Sequence, residues 1–291
     1  IGKEGTGAWS TGGDTNSGHQ RSAASGITQT AATVFGGGSY PVAEKAESYD
    51  GTTWTEIADL NTARQVSGGA QMAPSTTALG FGGTVPPNNS STYTEQYDGT
   101  SWSEETAMNT AKMNSSGFGV STAAVSAGGA IGPTGTNTSV VEEYNGTGWT
   151  TVNAIPAATR ELDAAGIITS GLVFGGNVPP QTGATKEYDG TNWTEGGAMN
   201  TAREAAAGCG ATQTAALCFS GEAPPGNMSI CEEYNGTAWT EVADLSTARN
   251  SACGAGTSPA ALCITGTPPA NLLATEEWNS PNYEAATVTT S

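Results

Sequence analysis

Short apolar runs recur along this chain, each ending in small residues and each followed by a polar stretch and then two aromatic positions. The runs are Val34-Phe35-Gly36-Gly37, Gly80-Phe81-Gly82-Gly83, Ser126-Ala127-Gly128-Gly129 and Val173-Phe174-Gly175-Gly176, drifting to Phe219-Ser220-Gly221 and Ile264-Thr265-Gly266. Runs this short, bounded by glycine and turn residues, predict strands rather than helices. Downstream of the first five stand Tyr49, Tyr97, Tyr144, Tyr188 and Tyr234, and Trp278 takes the sixth place. Five residues after each tyrosine comes a tryptophan, namely Trp54, Trp102, Trp149, Trp193 and Trp239, and Trp9 precedes them all. From Trp9 onward these tryptophans are 45, 48, 47, 44 and 46 residues apart. Between the aromatic pair the chain reads Tyr-[Asp/Asn]-Gly-Thr-x-Trp, as in Tyr49-Asp50-Gly51-Thr52-Thr53-Trp54. Asp-Gly and Asn-Gly supply the positive φ that a tight hairpin requires.

A further short strand before each apolar run, set off by a turn such as Thr28-Gln29-Thr30, brings each unit to four strands in about 46 residues. That period and strand count predict propeller blades, which bury their faces only by stacking in a ring. The expected fold is all-β, a single six-bladed β-propeller domain over residues 1–291 with four-stranded antiparallel blades. The blades fall near 16–62, 63–110, 111–158, 159–201, 202–247, and 248–291 joined by 1–15. The Trp9 strand precedes the first full unit and the last unit lacks one. The N-terminal strand is therefore expected to pair beside Glu276-Glu277-Trp278 and close the ring.

The Gly-Gly, Tyr, Trp order resembles the kelch repeat over essentially the whole chain. The Tyr-[Asp/Asn]-Gly-Thr-x-Trp form also resembles repeats of phage tail and surface proteins, marine ones in particular, and of bacterial surface proteins. That resemblance implies a structural or attachment part of a virion or cell exterior, with other virion or surface proteins, and glycans, as partners.

With strands counted outward from the axis, the Trp strand is outermost. One face then carries the first-to-second and third-to-fourth turns, both expected to be minimal. The other carries the fourth-to-first connections and the long second-to-third loops, which differ most between units: Ser39-Tyr40-Pro41, Val85-Pro86-Pro87-Asn88-Asn89, Gly132-Pro133-Thr134-Gly135, Val178-Pro179-Pro180-Gln181, Ala223-Pro224-Pro225-Gly226 and Thr267-Pro268-Pro269-Ala270. Proline fixes φ and lowers the entropy cost of presenting side chains. Divergent loops on one face of a repeat scaffold mark it as the binding face. Candidate contacts are Tyr40, Asn88, Asn89, Tyr93, Gln181, Asn227 and Asn271, whose amide and aromatic groups suit sugar hydroxyls or polar protein surfaces.

Arg64, Lys112, Arg160, Arg203 and Arg249 lie ten or eleven residues after a repeat tryptophan, with His19 in that place in the first unit. Glu47, Glu95, Glu142, Glu232 and Glu276 recur two residues before the aromatic, and the fourth unit has Lys186 there. Like charges crowded at an axis repel unless paired, so structural Arg–Glu pairing between strands is expected.

Composition removes several functions. The formal net charge is −18 with only nine Lys and Arg, so no basic stripe exists for nucleic acid. No apolar run is long enough to insert into a membrane as a helix. No charged-then-apolar leader follows Ile1, and the chain reads as processed or as a piece of something longer. The five cysteines, Cys209, Cys218, Cys231, Cys253 and Cys263, lie in the last third. Cys209 could face Cys218, or Cys218 could face Cys231; buried small hydrophobes is the preferred reading.

No cofactor or metal site is expected. The copper site of galactose oxidase-like kelch enzymes needs more than one histidine, and His19 stands alone. No zinc spacing, phosphate loop or Gly-x-Ser-x-Gly occurs. The enzymatic alternative is a sialidase-like glycoside hydrolase. Ser48-Tyr49-Asp50-Gly51-Thr52-Thr53-Trp54 resembles its Asp-box but is one residue short between Asp and Gly, and only Arg21 stands outside the repeat series. Glu161, Asp163 and Glu204 read as solvated strand ends rather than a hydrolytic pair. The expectation is a non-enzymatic binding or structural module on a virion or cell exterior. A kelch-type protein-interaction adaptor is a further alternative.

Overall fold

The computed structural model describes residues 7–38, 44–65, 68–268 and 272–280. They form an all-β ring of six four-stranded antiparallel blades. The first blade runs outward through Ala23–Thr28, Ala31–Phe35, Ala46–Tyr49 and Trp54–Glu56. In the sixth, the chain contributes Cys253–Thr257, Ala260–Ile264 and Thr275–Asn279, and Ala8–Thr11 lies outermost. There Trp9 sits opposite Trp278 and Thr11 opposite Glu276.

The repeated aromatic pair is a cross-strand pair. Tyr49 faces Trp54 at the end of its hairpin, with ring centroids 4.8 Å apart. The turn between them is built by Asp50, whose Oδ1 accepts the amides of Thr52 and Thr53, both at 2.8 Å. Gly51 follows at φ +92°, a conformation that a β-carbon disfavours.

Blades are held to one another by the same residues. Each described hydrophobic cluster spans two neighbouring blades, including one in which Val34, Tyr49 and Trp54 of the first pack on Ala255, Leu262 and Ile264 of the sixth. The tryptophan of one blade packs on the phenylalanine of the blade before, as in Phe35–Trp102 at 4.9 Å and Phe174–Trp239 at 5.0 Å. Its indole N–H then finds a partner on that same earlier blade. Trp54, Trp149 and Trp239 donate to Thr275, Thr94 and Thr185, whereas Trp102, Trp193 and Trp9 donate to the carbonyls of Ala58, Asn153 and Ala243. A buried indole that lacked such a partner would lose a hydrogen bond.

Two details depart from the sequence reading. The first-to-second connection of the second blade is a long irregular segment between Gly68–Gly69 and Leu79–Phe81, not a minimal turn. Pro74 sits in it and cannot donate to a ladder. The long loops of the second, third and fifth blades each fold back as a two-stranded ribbon, such as Thr84–Val85 with Asn89–Ser90.

All five cysteines are free and buried. Neither facing pair forms: Cys209 lies opposite Leu217, and Cys218 lies opposite Gly208 and Glu232, one place away from either partner. Burial pushes the thiols of Cys253 and Cys263 up to about 12 and that of Cys218 up to about 11. The thiolate is the nucleophile, so no cysteine of the folded protein is expected to react with a thiol reagent at pH 8. All should react after denaturation; mass counting of alkylated forms checks this.

Candidate binding face

The innermost strands begin on the face that carries the long loops, and a buried polar ring surrounds the axis there. In the first blade, His19 Nε2 and Glu47 Oε1 are 3.0 Å apart. Arg64 pairs with Glu95, Arg203 Nη1 with Glu232 Oε1 at 2.9 Å, and Arg249 with Glu276. Lys112 Nζ is 4.0 Å from Glu142 and donates to the carbonyls of Ser126 and Val140. Burial draws this ammonium down to about 8, with Glu142 opposing. Burial works against ionised Glu47, yet hydrogen bonds from His19 and Asn16 outweigh it and hold the carboxyl below its usual range.

Each acid also accepts from the loop before the cation, which the sequence reading missed. The Asn61, Asn109 and Asn200 amides donate to Glu95, Glu142 and Glu232, each at 2.7 Å. Their side chains donate to the carbonyls of Trp102, Trp149 and Trp239, each at 3.0 Å. The signal was present as Asn61-Thr62-Ala63-Arg64, Asn109-Thr110-Ala111-Lys112 and Asn200-Thr201-Ala202-Arg203.

The fourth blade breaks this ring, and it corrects the place given to Arg160. The carbonyl of Thr159 accepts from Gly129, as those of Lys112, Arg203 and Arg249 accept from Gly83, Gly176 and Gly221. Thr159 thus holds the cation position. Arg160 is one place on, pairs its backbone with Asn177, and donates from Nη1 to the Gly135 carbonyl at 3.3 Å. Lys186, in the acid's place, turns outward to Glu195 on the edge strand.

One step closer to the axis, the backbone stays regular while the side chains do not. Arg21 donates its amide to the carbonyl of Ser251, Ser251 to Ala205, Ala205 to Glu161, and Glu161 to Asn114, all within 2.9–3.0 Å. All five sit at positive φ between 49° and 55°. A regular backbone thus presents arginine, asparagine, glutamate, alanine and serine around one opening. Behind it lies a cavity of about 110 Å³. The next residues along the inner strands are Ala23, Gly68, Ser116, Asp163, Ala207 and Cys253, matched by their partners on the second strands. Among these six described residues Asp163 is the only carboxyl.

Asp163, Glu161 and Glu204 are therefore not solvated strand ends. Asp163 Oδ1 accepts from Ser116 Oγ at 2.9 Å, from its neighbour's amide at 2.8 Å and from Gln71 Nε2 at 3.5 Å. Burial nevertheless pushes it up to about 7. Glu161 is raised by burial first and then by the charge of Glu204, with which it shares a hydrogen bond, while Arg21 and Arg160 oppose the rise. Asn114 Nδ2 donates to Glu161 at 3.2 Å, and Gln181 Nε2 to Glu204 at 2.7 Å.

A carboxyl with a raised folded pKa favours the folded state while protonated, and this advantage is lost as pH rises from about 4 towards 7. Wild-type stability is thus expected to fall over that range relative to Asp163→Asn, by on the order of a few kcal/mol. Urea titrations at several pH values check the slope.

The loop candidates divide. Asn88 and Asn89 are exposed, and Tyr93 is 38% exposed with the Arg64 guanidinium 5.9 Å from its ring centroid. Gln181 is engaged with Glu204, and Asn227 bridges to the Thr267 carbonyl and to Asn250. Tyr40 and Asn271 lie outside the described residues. Among the described residues no group of three or more His, Cys, Asp and Glu side chains is placed to hold a metal ion. Nor, among them, is any helix long and apolar enough to cross a membrane.

No protein-family model and no curated protein matches the chain. Among solved structures it is similar to the one titled "Structure of YjhT", at 13% identity and a TM-score of 0.72, over 91% of this chain and 95% of that one. Identity this low speaks for the fold, and the β-propeller is common to both.

Proposed function

We propose that the protein is a non-enzymatic recognition module of a virion or cell exterior, binding a glycan or protein partner through the loop-bearing face. The observation that carries this reading is where the repeat breaks down. Blade packing and the aromatic hairpins repeat around the ring, whereas the second-to-third loops and the side chains at the axial opening differ from blade to blade on one face. A scaffold needs the first property, and a specific site needs the second. The kelch and phage-tail likeness rests on the repeat signature and supports the exterior setting. A net charge of −18 makes nucleic acid a poor partner.

One observation favours the hydrolase alternative: Glu161 and Glu204 meet at the opening, and Glu161 is raised. Glycosidase carboxyls, however, stand about 5–5.5 Å or 6.5–9.5 Å apart to admit the sugar or a water. Here both carboxyls are instead taken up by neighbouring amides, Glu161 by Asn114 and Glu204 by Gln181 and Asn177. Glycan-array binding with product analysis tests both readings. Retention of an intact glycan is the expected result, and cleaved sugar would replace the recognition module with the hydrolase.

A further inference from the structure

The axial cavity has a chemistry of its own, and the inference drawn from it rests on the loop-bearing face being the binding face. Its wall collects acceptors. Asp163 stands in it, Glu161 borders its opening, and Gln71 reaches in from the irregular segment of the second blade. Gln71 is 8% exposed and Ser115, also in the wall, is 4% exposed. Gln71 Oε1 and Ser115 Oγ have no hydrogen-bond partner. A buried polar atom left unpaired costs about 1–3 kcal/mol, so two in one wall point to a ligand that supplies donors.

Among the described residues of this wall Arg21 is the one cation. Arg21 lies at the rim and is exposed, and Arg160 is turned to the Gly135 carbonyl. Arg64, Lys112, Arg203 and Arg249 are each committed to a glutamate of their own blade. We propose that the axial cavity binds a small ligand through a primary ammonium group, held by Asp163 and Glu161, with neighbouring hydroxyls taken up by Gln71 and Ser115. An ammonium brings three donors and one charge, and ion–carboxylate hydrogen bonds are about twice as strong as neutral ones. A volume of about 110 Å³ is enough for one small polyol-sized group.

Binding should depend on pH. Asp163 is raised to about 7, so it holds a proton under mildly acidic conditions, and burial moves Glu161 in the same direction. The charged neighbours of Glu161 are Glu204, Arg21 and Arg160. Cys209, Cys218 and Cys253 lie within reach of the charge of Asp163, and burial keeps all three thiols neutral. A cation therefore binds more tightly at pH 8 than at pH 6 and displaces protons as it binds.

The test compares 3-amino-1,2-propanediol with glycerol, which have nearly the same shape and differ in an ammonium for a hydroxyl. Titration calorimetry at pH 8 should give at least tenfold tighter binding of the amine, weaker binding at pH 6, and a loss of at least tenfold in Asp163→Asn. Calorimetry of the wild type at pH 6 in two buffers of different ionisation enthalpy should show proton release, a readout that stands even if the variant fails to fold. Equal affinities, preference for glycerol or absence of binding would overturn the ammonium inference. Glycans retained on an array in any of those cases would leave the recognition reading standing, so the two failures are separable.

Discussion

Replacing Arg203 by alanine is expected to cost about 3–5 kcal/mol of folding stability, measured by urea titration. Arg203 and Glu232 are both fully buried and 2.9 Å apart. Removing the guanidinium leaves a carboxylate with its loop donors, the Asn200 amide and side chain, but without its counter-charge. It also strips the donor that reaches Cys218 Sγ at 3.3 Å. Adding Glu232→Gln should recover a substantial part of the loss, because the uncompensated charge is then gone. Thr159→Ala, at the matching place in the fourth blade, should cost less than about 1 kcal/mol, since only one weak hydroxyl bond to the Ala157 carbonyl is lost. A penalty for Arg203→Ala below about 1 kcal/mol would remove the paired ring from the forces that hold the blades.

Trp9→Ala is expected to cost about 3 kcal/mol, the lower end for a large aromatic because Trp9 is only partly buried. Its ring lies 5.2 Å from Phe219 and 5.5 Å from Trp278, and its N–H bonds the Ala243 carbonyl of the fifth blade. The residue thus joins the N-terminal strand to two blades at once. Hydrogen exchange should show faster exchange at Thr275–Asn279 in this variant. Unchanged stability together with unchanged exchange there would mean that the N-terminal strand contributes little to the sixth blade.

The fold was legible because one physical demand repeats along the chain: each hairpin needs Asp-Gly or Asn-Gly at one place and an aromatic pair across it. The pairing of the basic positions with glutamates was legible for the same reason. The errors were errors of one place. Arg64, Lys112, Arg203 and Arg249 each stand ten residues after their tryptophan, and ten after Trp149 is Thr159; taking the arginine at eleven moved the cation by one place, as the carbonyl of Thr159 shows. The cysteine pairings failed by the same single step, which in a strand turns a side chain to the other face. The axial cavity was not legible at all. Asp163, Gln71 and Ser115 are far apart in sequence and meet only because three inner strands converge on one axis. Nothing local marks Gln71, whose place depends on the irregular segment after Gly69.

The most direct test of the central claim, that one face recognises and the rest is scaffold, is to compare two triple variants on the glycan or protein partner that the wild type retains. Asn89→Ala with Tyr93→Ala and Gln181→Ala alters the loop face; Thr52→Ala with Thr100→Ala and Thr191→Ala alters the hairpin turns of the opposite face. With both variants folded, the expected result is at least tenfold weaker binding for the first and wild-type affinity for the second. The reverse pattern would place recognition on the hairpin face and contradict the reading given to the loops.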